Sequence, residues 1–163
     1  MSESLVTEGP QLLRPEDGAL VEWFGSLMTI KVTGEATAGS HSVVEVVEPP
    51  GAASPVHVHV EDETFCVLEG EYTVRCGDLE AVAGAGAIVR LPRGIPHSHQ
   101  VTGDGNARAL MIFAPGGFER FFTEAGTPTD RRELPAPAAP DPARLAAIGQ
   151  RYGLQIVGPP PGH

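Results

Sequence analysis

The sequence predicts an all-β domain, a sandwich or a small barrel. Short apolar runs rich in Val, Ile and aromatic residues recur along the chain, and 20 glycines and 16 prolines in 163 residues supply the turns between them. No helical period alternates with these runs, which excludes a βαβ architecture. The length suits one domain with a sizeable core and short extensions.

The elements follow in order. Residues 1–10 are acidic and polar, without a basic end leading into an apolar core, so they read as no secretory signal. Residues 23–33 read as a strand, with Phe24, Leu27, Ile30 and Val32 as its apolar content. Val-rich 42–48 is another, stopped by Pro49, Pro50 and Gly51. Residues 64–68 and 72–76 read as a hairpin turning at Glu69 and Gly70. A short strand at 79–82 ends in the Gly84-Ala85-Gly86 turn, 87–91 and 98–101 flank a turn from Pro92 to Gly94, and 107–114 closes the set.

Beyond that strand the character changes. Residues 117–125 place Phe118, Phe121, Phe122 and Ala125 on one helical face, and the three phenylalanines either cover an open end of the barrel or pack outside the sheet. Residues 127–142 are Pro-rich and read as an extended arm, which either wraps a partner subunit or lies on the surface. Asp141 and Pro142 offer an N-cap and a first-turn proline to a helix over 143–152, stopped by Gly153. The tail, 158–163, reads as disordered. The expected organisation is an extension (1–20), a barrel (21–115) and a C-terminal part of helices, arm and tail (116–163).

A net charge of −10 argues against nucleic acid and against an anionic membrane surface. No run is long and apolar enough to cross a bilayer, and a cytoplasmic protein is the expectation. If 64–76 is a hairpin, Cys66 and Cys76 point to opposite faces, so they read as buried thiols without a disulfide, in keeping with a reducing compartment.

Four of the six histidines fall in two segments. His57 and His59 are one residue apart, which on a strand places both on one face, and Glu63 keeps their parity. The second segment carries His97 and His99. His57, His59, Glu63 and His97 together make a site for one divalent transition metal (Fe, Mn, Co, Ni, Cu or Zn), since imidazole and carboxylate suit most first-row ions. His99 shares the face of His97 and reads as packing behind the ligands or lining the pocket. Four ligands leave one or two positions open, and neither cysteine lies among them to close a structural zinc site. The metal therefore reads as catalytic or ligand-binding.

These segments also resemble the two cupin motifs. Gly51, His57, His59, Glu63 and Gly70 fill every fixed position of the first, G-x5-H-x-H-x3-E-x6-G. Gly86, Pro92, Gly94 and His97 fill the second, G-x5-P-x-G-x2-H-x3-N, with Val101 in place of its asparagine. The resemblance implies a double-stranded β-helix, or jelly roll, here with short C-terminal helices, with the metal inside the barrel and a homodimer formed through outer sheets. Trp23-Phe24-Gly25 to Thr29, the two motifs, and the run from Ala114 through Phe118, Phe122 and Gly126 to Pro128 are similar to bacterial single-domain quercetinase-like cupins. That narrower resemblance implies a quercetin 2,3-dioxygenase-like reaction of the flavonol 2,4-dioxygenase type, in which Glu63 takes the proton of an enolic hydroxyl and the electron-rich ring is cleaved with dioxygen.

Strand parity turns Phe65, Val67, Tyr72, Val74, Val89 and Leu91 inward with His99, and Met111 and Phe113 join them from the closing strand. An apolar pocket of this kind suits an aromatic or enolic small molecule, and no Lys or Arg cluster near the motifs offers a phosphate site. Tyr72 serves equally as a packing residue. Two other functions fit the same residues. One is a metal-dependent isomerase or cyclase of polyketide-like compounds, separated from the dioxygenase by oxygen consumption; the other is a non-enzymatic ligand-binding module. No helix-turn-helix segment outside the barrel supports a transcription regulator.

Overall fold

A computed structural model of the chain describes residues 9–162. Among the described residues, twelve strands and two helices follow in chain order: β1 (Ala19–Trp23), β2 (Ser26–Val32), β3 (Ser42–Glu48), β4 (Val56–Val58), β5 (Asp62–Glu69), β6 (Glu71–Cys76), β7 (Leu79–Gly84), β8 (Ile88–Leu91), β9 (His97–Val101), β10 (Ala107–Ala114), α1 (Glu119–Ala125), β11 (Thr127–Thr129), α2 (Pro142–Gln150) and β12 (Gln155–Gly158). They form two antiparallel sheets, a seven-stranded one in the order β11-β1-β2-β3-β10-β5-β8 and a five-stranded one in the order β12-β4-β9-β6-β7. This is the jelly-roll barrel, with the core between the sheets.

The alternation that marked the strands also places their side chains. On β3 Ser42, Val44, Val46 and Glu48 are buried, and on β10 Ala107, Ala109, Met111 and Phe113 are, while the residues between them are only half-buried. These faces meet Phe65 and Val67 of β5 and Tyr72 and Val74 of β6 in one core.

Three sequence expectations are corrected. The strand expected over 23–33 forms over Ser26–Val32 as β2, but its first residues are the end of β1 and a turn at Phe24 and Gly25, both at positive φ (48° and 94°), the two-residue turn that matches strand twist. Phe24 takes a backbone conformation that sequence pattern assigns to Gly or Asn, which hid the turn. The hairpin of 64–76 does not form: β5 pairs with β10 and β8, while β6 pairs with β7 and β9. Gly70, at φ 77°, carries the chain from one sheet to the other. Of the tail expected to be disordered, Gly158 ends β12, where it pairs with Val56 of β4, and Pro159 and Pro160 lie against the cavity described below. Residues 1–8 and His163, including most of the segment read as lacking a secretory signal, lie outside the described residues.

The C-terminal region otherwise follows its local signals. Asp141 caps α2, its Oδ1 accepting from the backbone N–H of Ala143 at 3.0 Å and of Arg144 at 3.2 Å, with Pro142 in the first turn. Phe118, Phe121 and Phe122 of the α1 region are buried inward against Trp23 and Phe113, so they cover the barrel's mouth. Cys66 and Cys76 are free thiols, the first half-buried and the second buried.

Candidate metal centre and cavity

The four ligand candidates come together, by a route other than parity on one strand. β4 ends at Val58, and His59 stands just past it, before a bend at Val60 and Glu61. β5 then starts in the opposite sheet and brings Glu63 back across the barrel. His97 opens β9 and is the register partner of His57 on β4. The second-motif turn is fastened to this corner: Gly94 N–H donates to His59 O at 3.1 Å, and Arg93 N–H donates to Asp62 Oδ1 at 2.9 Å.

The nitrogen, carboxylate and ring positions form one cluster, with all four donor atoms within 4.8 Å of one another. Glu63 Oε2 lies 3.2 Å from His59 Nε2 and 3.3 Å from His97 Nε2. Each Nδ1 faces a backbone carbonyl: His57 to Pro55 O at 2.7 Å, His59 to Glu61 O at 3.1 Å, His97 to Ile95 O at 3.0 Å. A carbonyl only accepts, so each Nδ1 carries the proton and each Nε2 presents a lone pair inward. His97 Nε2 is buried without a hydrogen bond of good geometry, an orphan that a cation would satisfy. The donor set and the fixed tautomers therefore fit a divalent transition metal held by His57, His59, Glu63 and His97.

The electrostatics agree with that use. Burial, then the neighbouring His97, holds the His57 imidazole down to about 3, so it is neutral and ready to ligate. Burial pushes the Glu63 carboxyl up, but the His59 and His97 rings beside it outweigh this and hold it well below the usual carboxylate range. Burial raises the Glu61 carboxyl, which lies 3.5 Å from His59 Nδ1. Phe113 and Phe118 pack on the His59 ring at centroid distances of 5.8 and 4.9 Å.

Beside the cluster opens a cavity of about 580 Å³. His57, Glu63 and His97 stand on its wall, as do His99, Met111 and Phe113. Phe65, Val67, Tyr72, Val74, Val89 and Leu91, expected to line the pocket, are instead packed in the core off that wall. Parity assigns a face but not a depth. Phe65 and Tyr72 meet edge to face at 4.9 Å and both contact the His99 ring, which fills the space they were expected to bound. The wall is made largely by residues that pattern did not assign to it. Trp23 and Phe24 come from the first hairpin, Phe118, Phe121 and Phe122 from the mouth, Ala138, Ala139 and Pro140 from the arm, and Pro159 and Pro160 from the tail. The Trp-Phe pair and the phenylalanine stripe were visible signals, whereas the arm and tail had none.

One polar pair on the wall is new. His99 Nε2 lies 3.2 Å from each carboxylate oxygen of Glu48. Burial lowers the His99 ring, but Glu48 more than offsets this and its basicity is raised. The sequence carried no signal for this pair, since a Glu at the end of a Val-rich strand gains meaning only with His99 across from it.

Comparison with known proteins agrees with this geometry. Residues 44–113 match the cupin domain family. A quercetin 2,3-dioxygenase of Bacillus subtilis is 25% identical over 127 residues, 77% of this chain and 37% of that protein. The chain thus spans little more than a third of the length of that curated relative. A Thermotoga maritima protein described as a predicted oxalate decarboxylase superposes with a TM-score of 0.61 at 19% identity, over 64% of this chain and 99% of that one. An oxalate decarboxylase of Bacillus subtilis superposes with a TM-score of 0.59 at 23% identity, over 72% of this chain and 33% of that one. The fold is the jelly roll of the cupin structures it resembles, residues 44–113 match the cupin domain, and three histidines and one glutamate of this chain can hold a metal ion. The chain carries that cupin domain within a jelly roll completed by its C-terminal region.

Proposed function

We propose that the protein is a metal-dependent dioxygenase that cleaves a flavonol-like or other enolic aromatic molecule. The observation that carries this reading is the cavity wall. It joins six aromatic rings of Trp23, Phe24, Phe113, Phe118, Phe121 and Phe122 to the metal-capable cluster, and no Lys or Arg is among its residues. A small dianion such as oxalate would leave most of so large and apolar a space unfilled, whereas a flat aromatic ring gains from stacking and burial there. The resemblance to a quercetin 2,3-dioxygenase points the same way.

In this function the chain's residues divide the work. The aromatic wall binds and orients the substrate, and Phe118, Phe121 and Phe122 shut water out of the mouth. Glu63 takes the proton of the enolic hydroxyl on Oε2, the oxygen that faces His59 and His97. When bound, the metal supplies positive charge that stabilises the enolate. His57, His59 and His97 hold that ion, their tautomers set by the backbone carbonyls.

Oxygen uptake with a flavonol, on protein loaded separately with Fe, Mn, Co, Ni, Cu or Zn and with metal content determined, tests the reading. Uptake with loss of flavonol absorbance is expected with at least one metal. Stoichiometric metal without uptake would move the function to an isomerase, a cyclase or a binding module, and no bound metal in any preparation would overturn the centre itself. A cytoplasmic homodimer is part of the same proposal. Exposed Leu79, Val82 and Ile88 on β7 and β8 offer apolar area for pairing, and light scattering should give twice the 17.1 kDa chain mass.

A further inference from the structure

We infer that residues 133–140, the middle of the Pro-rich arm, are the gate of the cavity: fixed at both ends, they swing off the first hairpin to let a small molecule in and then close over it. This rests on the reading of the cavity as the place where the substrate binds.

The arm is fastened on either side of this stretch. Before it, β11 pairs with β1, and the Arg132 guanidinium donates to Glu16 O. After it, Asp141 caps α2, and Arg144 ties α2 to the end of α1, donating to Ala125 O at 2.9 Å and to Glu124 O at 3.3 Å. Among the described residues, nothing from 133 to 140 makes a hydrogen bond or an ion pair. The rest of the rim is tied down. Ser54 N–H donates to His99 O at 3.0 Å and Val101 N–H to Ala52 O at 2.8 Å, which holds the loop before β4. The phenylalanines of the mouth ride on α1, which is bound to α2, and two of them pack edge to face on Trp23.

Packing points to the same stretch. Ala138 and Ala139 stand on the wall of the large cavity and also on that of a second one of about 170 Å³, which Pro135, Ala136, Phe24 and Gly25 help to line. A segment bounded by two cavities forfeits the close contacts that hold a packed one. Pro135, Pro137 and Pro140 lack an N–H and fix φ, so the stretch is stiff and has no main-chain ladder to break when it moves. Its seat is the turn between β1 and β2, where a Cβ on Gly25 would stand 3.4 Å from the Cα of Pro137.

A lock across that seat tests the gate. Gly25→Cys with Pro137→Cys, in a Cys66→Ser background, places two thiols within the span of a disulfide, and mass spectrometry confirms the bond. Two readouts compare the oxidised and reduced forms, metal-loaded and without oxygen. One is the association rate of 3-hydroxyflavone. The other is acrylamide quenching of Trp23, the single tryptophan, which stands on the cavity wall. The oxidised form is expected to take up the flavonol at least about tenfold more slowly, and to show about twofold less quenching, as for a closed lid. Equal rates with equal quenching would overturn the gate. No flavonol binding by wild type, with quenching that still falls on oxidation, would support the gate and overturn the enolic aromatic reading. Gly25 sits at φ 94°, so a second variant covers a lock that does not fold. Pro135→Gly, Pro137→Gly and Pro140→Gly together loosen the arm and should raise the flavonol rate at least about threefold, with more quenching; unchanged values would overturn the gate.

Discussion

Each imidazole of the centre is aimed by a hydrogen bond that sequence spacing does not show, from Nδ1 to the carbonyl of Pro55, Glu61 or Ile95. That is why replacing Glu63 should leave the rings in place. Glu63→Gln is expected to keep the far-UV spectrum, bind less metal and lose at least about a hundredfold in turnover, since it removes the base; full turnover would remove Glu63 from that role. A second prediction concerns Asp62, whose carboxyl accepts from the Arg93 backbone at 2.9 Å and from its guanidinium at 2.9 Å. These hydrogen bonds hold it down to about 2, below its ordinary value. Its contribution is therefore complete above about pH 5 and is lost as pH falls towards 2, because the unfolded chain takes up the proton first. The urea midpoints of wild type and Asp62→Asn should differ at pH 6 and converge as pH falls below 4; a constant gap would contradict the linkage. The ligands themselves were legible because their residue types and spacing carry the chemistry. Glu48 was not, because one carboxylate at a strand end has meaning only once His99 is seen across from it.

Most strands were legible from alternation, but their partners were not, since pairing is decided by what lies across the barrel. Residues 64–68 and 72–76 have the pattern of a hairpin, yet the chain crosses between sheets at Gly70. Only glycine fits that crossing: φ is 77°, and a Cβ there would stand 2.8 Å from the Cα of Ala107 and from Asn106 O. Gly70→Ala combines a left-handed backbone with overlap against main chain that cannot swing aside, and it is expected to cost about 2–4 kcal/mol. Urea denaturation would show this as a lowered midpoint at unchanged slope. A loss below about 0.5 kcal/mol would mean that the crossing tolerates a side chain, as an ordinary surface site does. The turn at Phe24 and Gly25 was hidden for a related reason, because a Phe at φ 48° breaks the residue rule by which such turns are read.

At the scale of the molecule, the centre depends on chain that is distant in sequence. β4, which carries His57, has three residues, and its register with β9 is the single pair His57 and His97. Its other edge is held by β12, through Gln155 with Val58 and Ile156 with His57. Composition made the tail look unstructured, with three prolines and two glycines in 158–163. The strand just before it, β12, reaches into that tail only at Gly158 and gives β4 its second neighbour. Deleting the chain from Gln155 onward should therefore leave most of both sheets intact by circular dichroism but weaken metal binding at least about tenfold, the scale seen when the support of a ligand is removed. Deleting only from Pro159 onward keeps β12 but removes Pro159 and Pro160 from the cavity wall. Metal affinity should then hold while flavonol affinity falls. Calorimetric titration of both truncations separates the two roles. Unchanged metal affinity in the longer deletion would show that β9 alone positions His57, and equal loss of metal in both would place the support in the prolines.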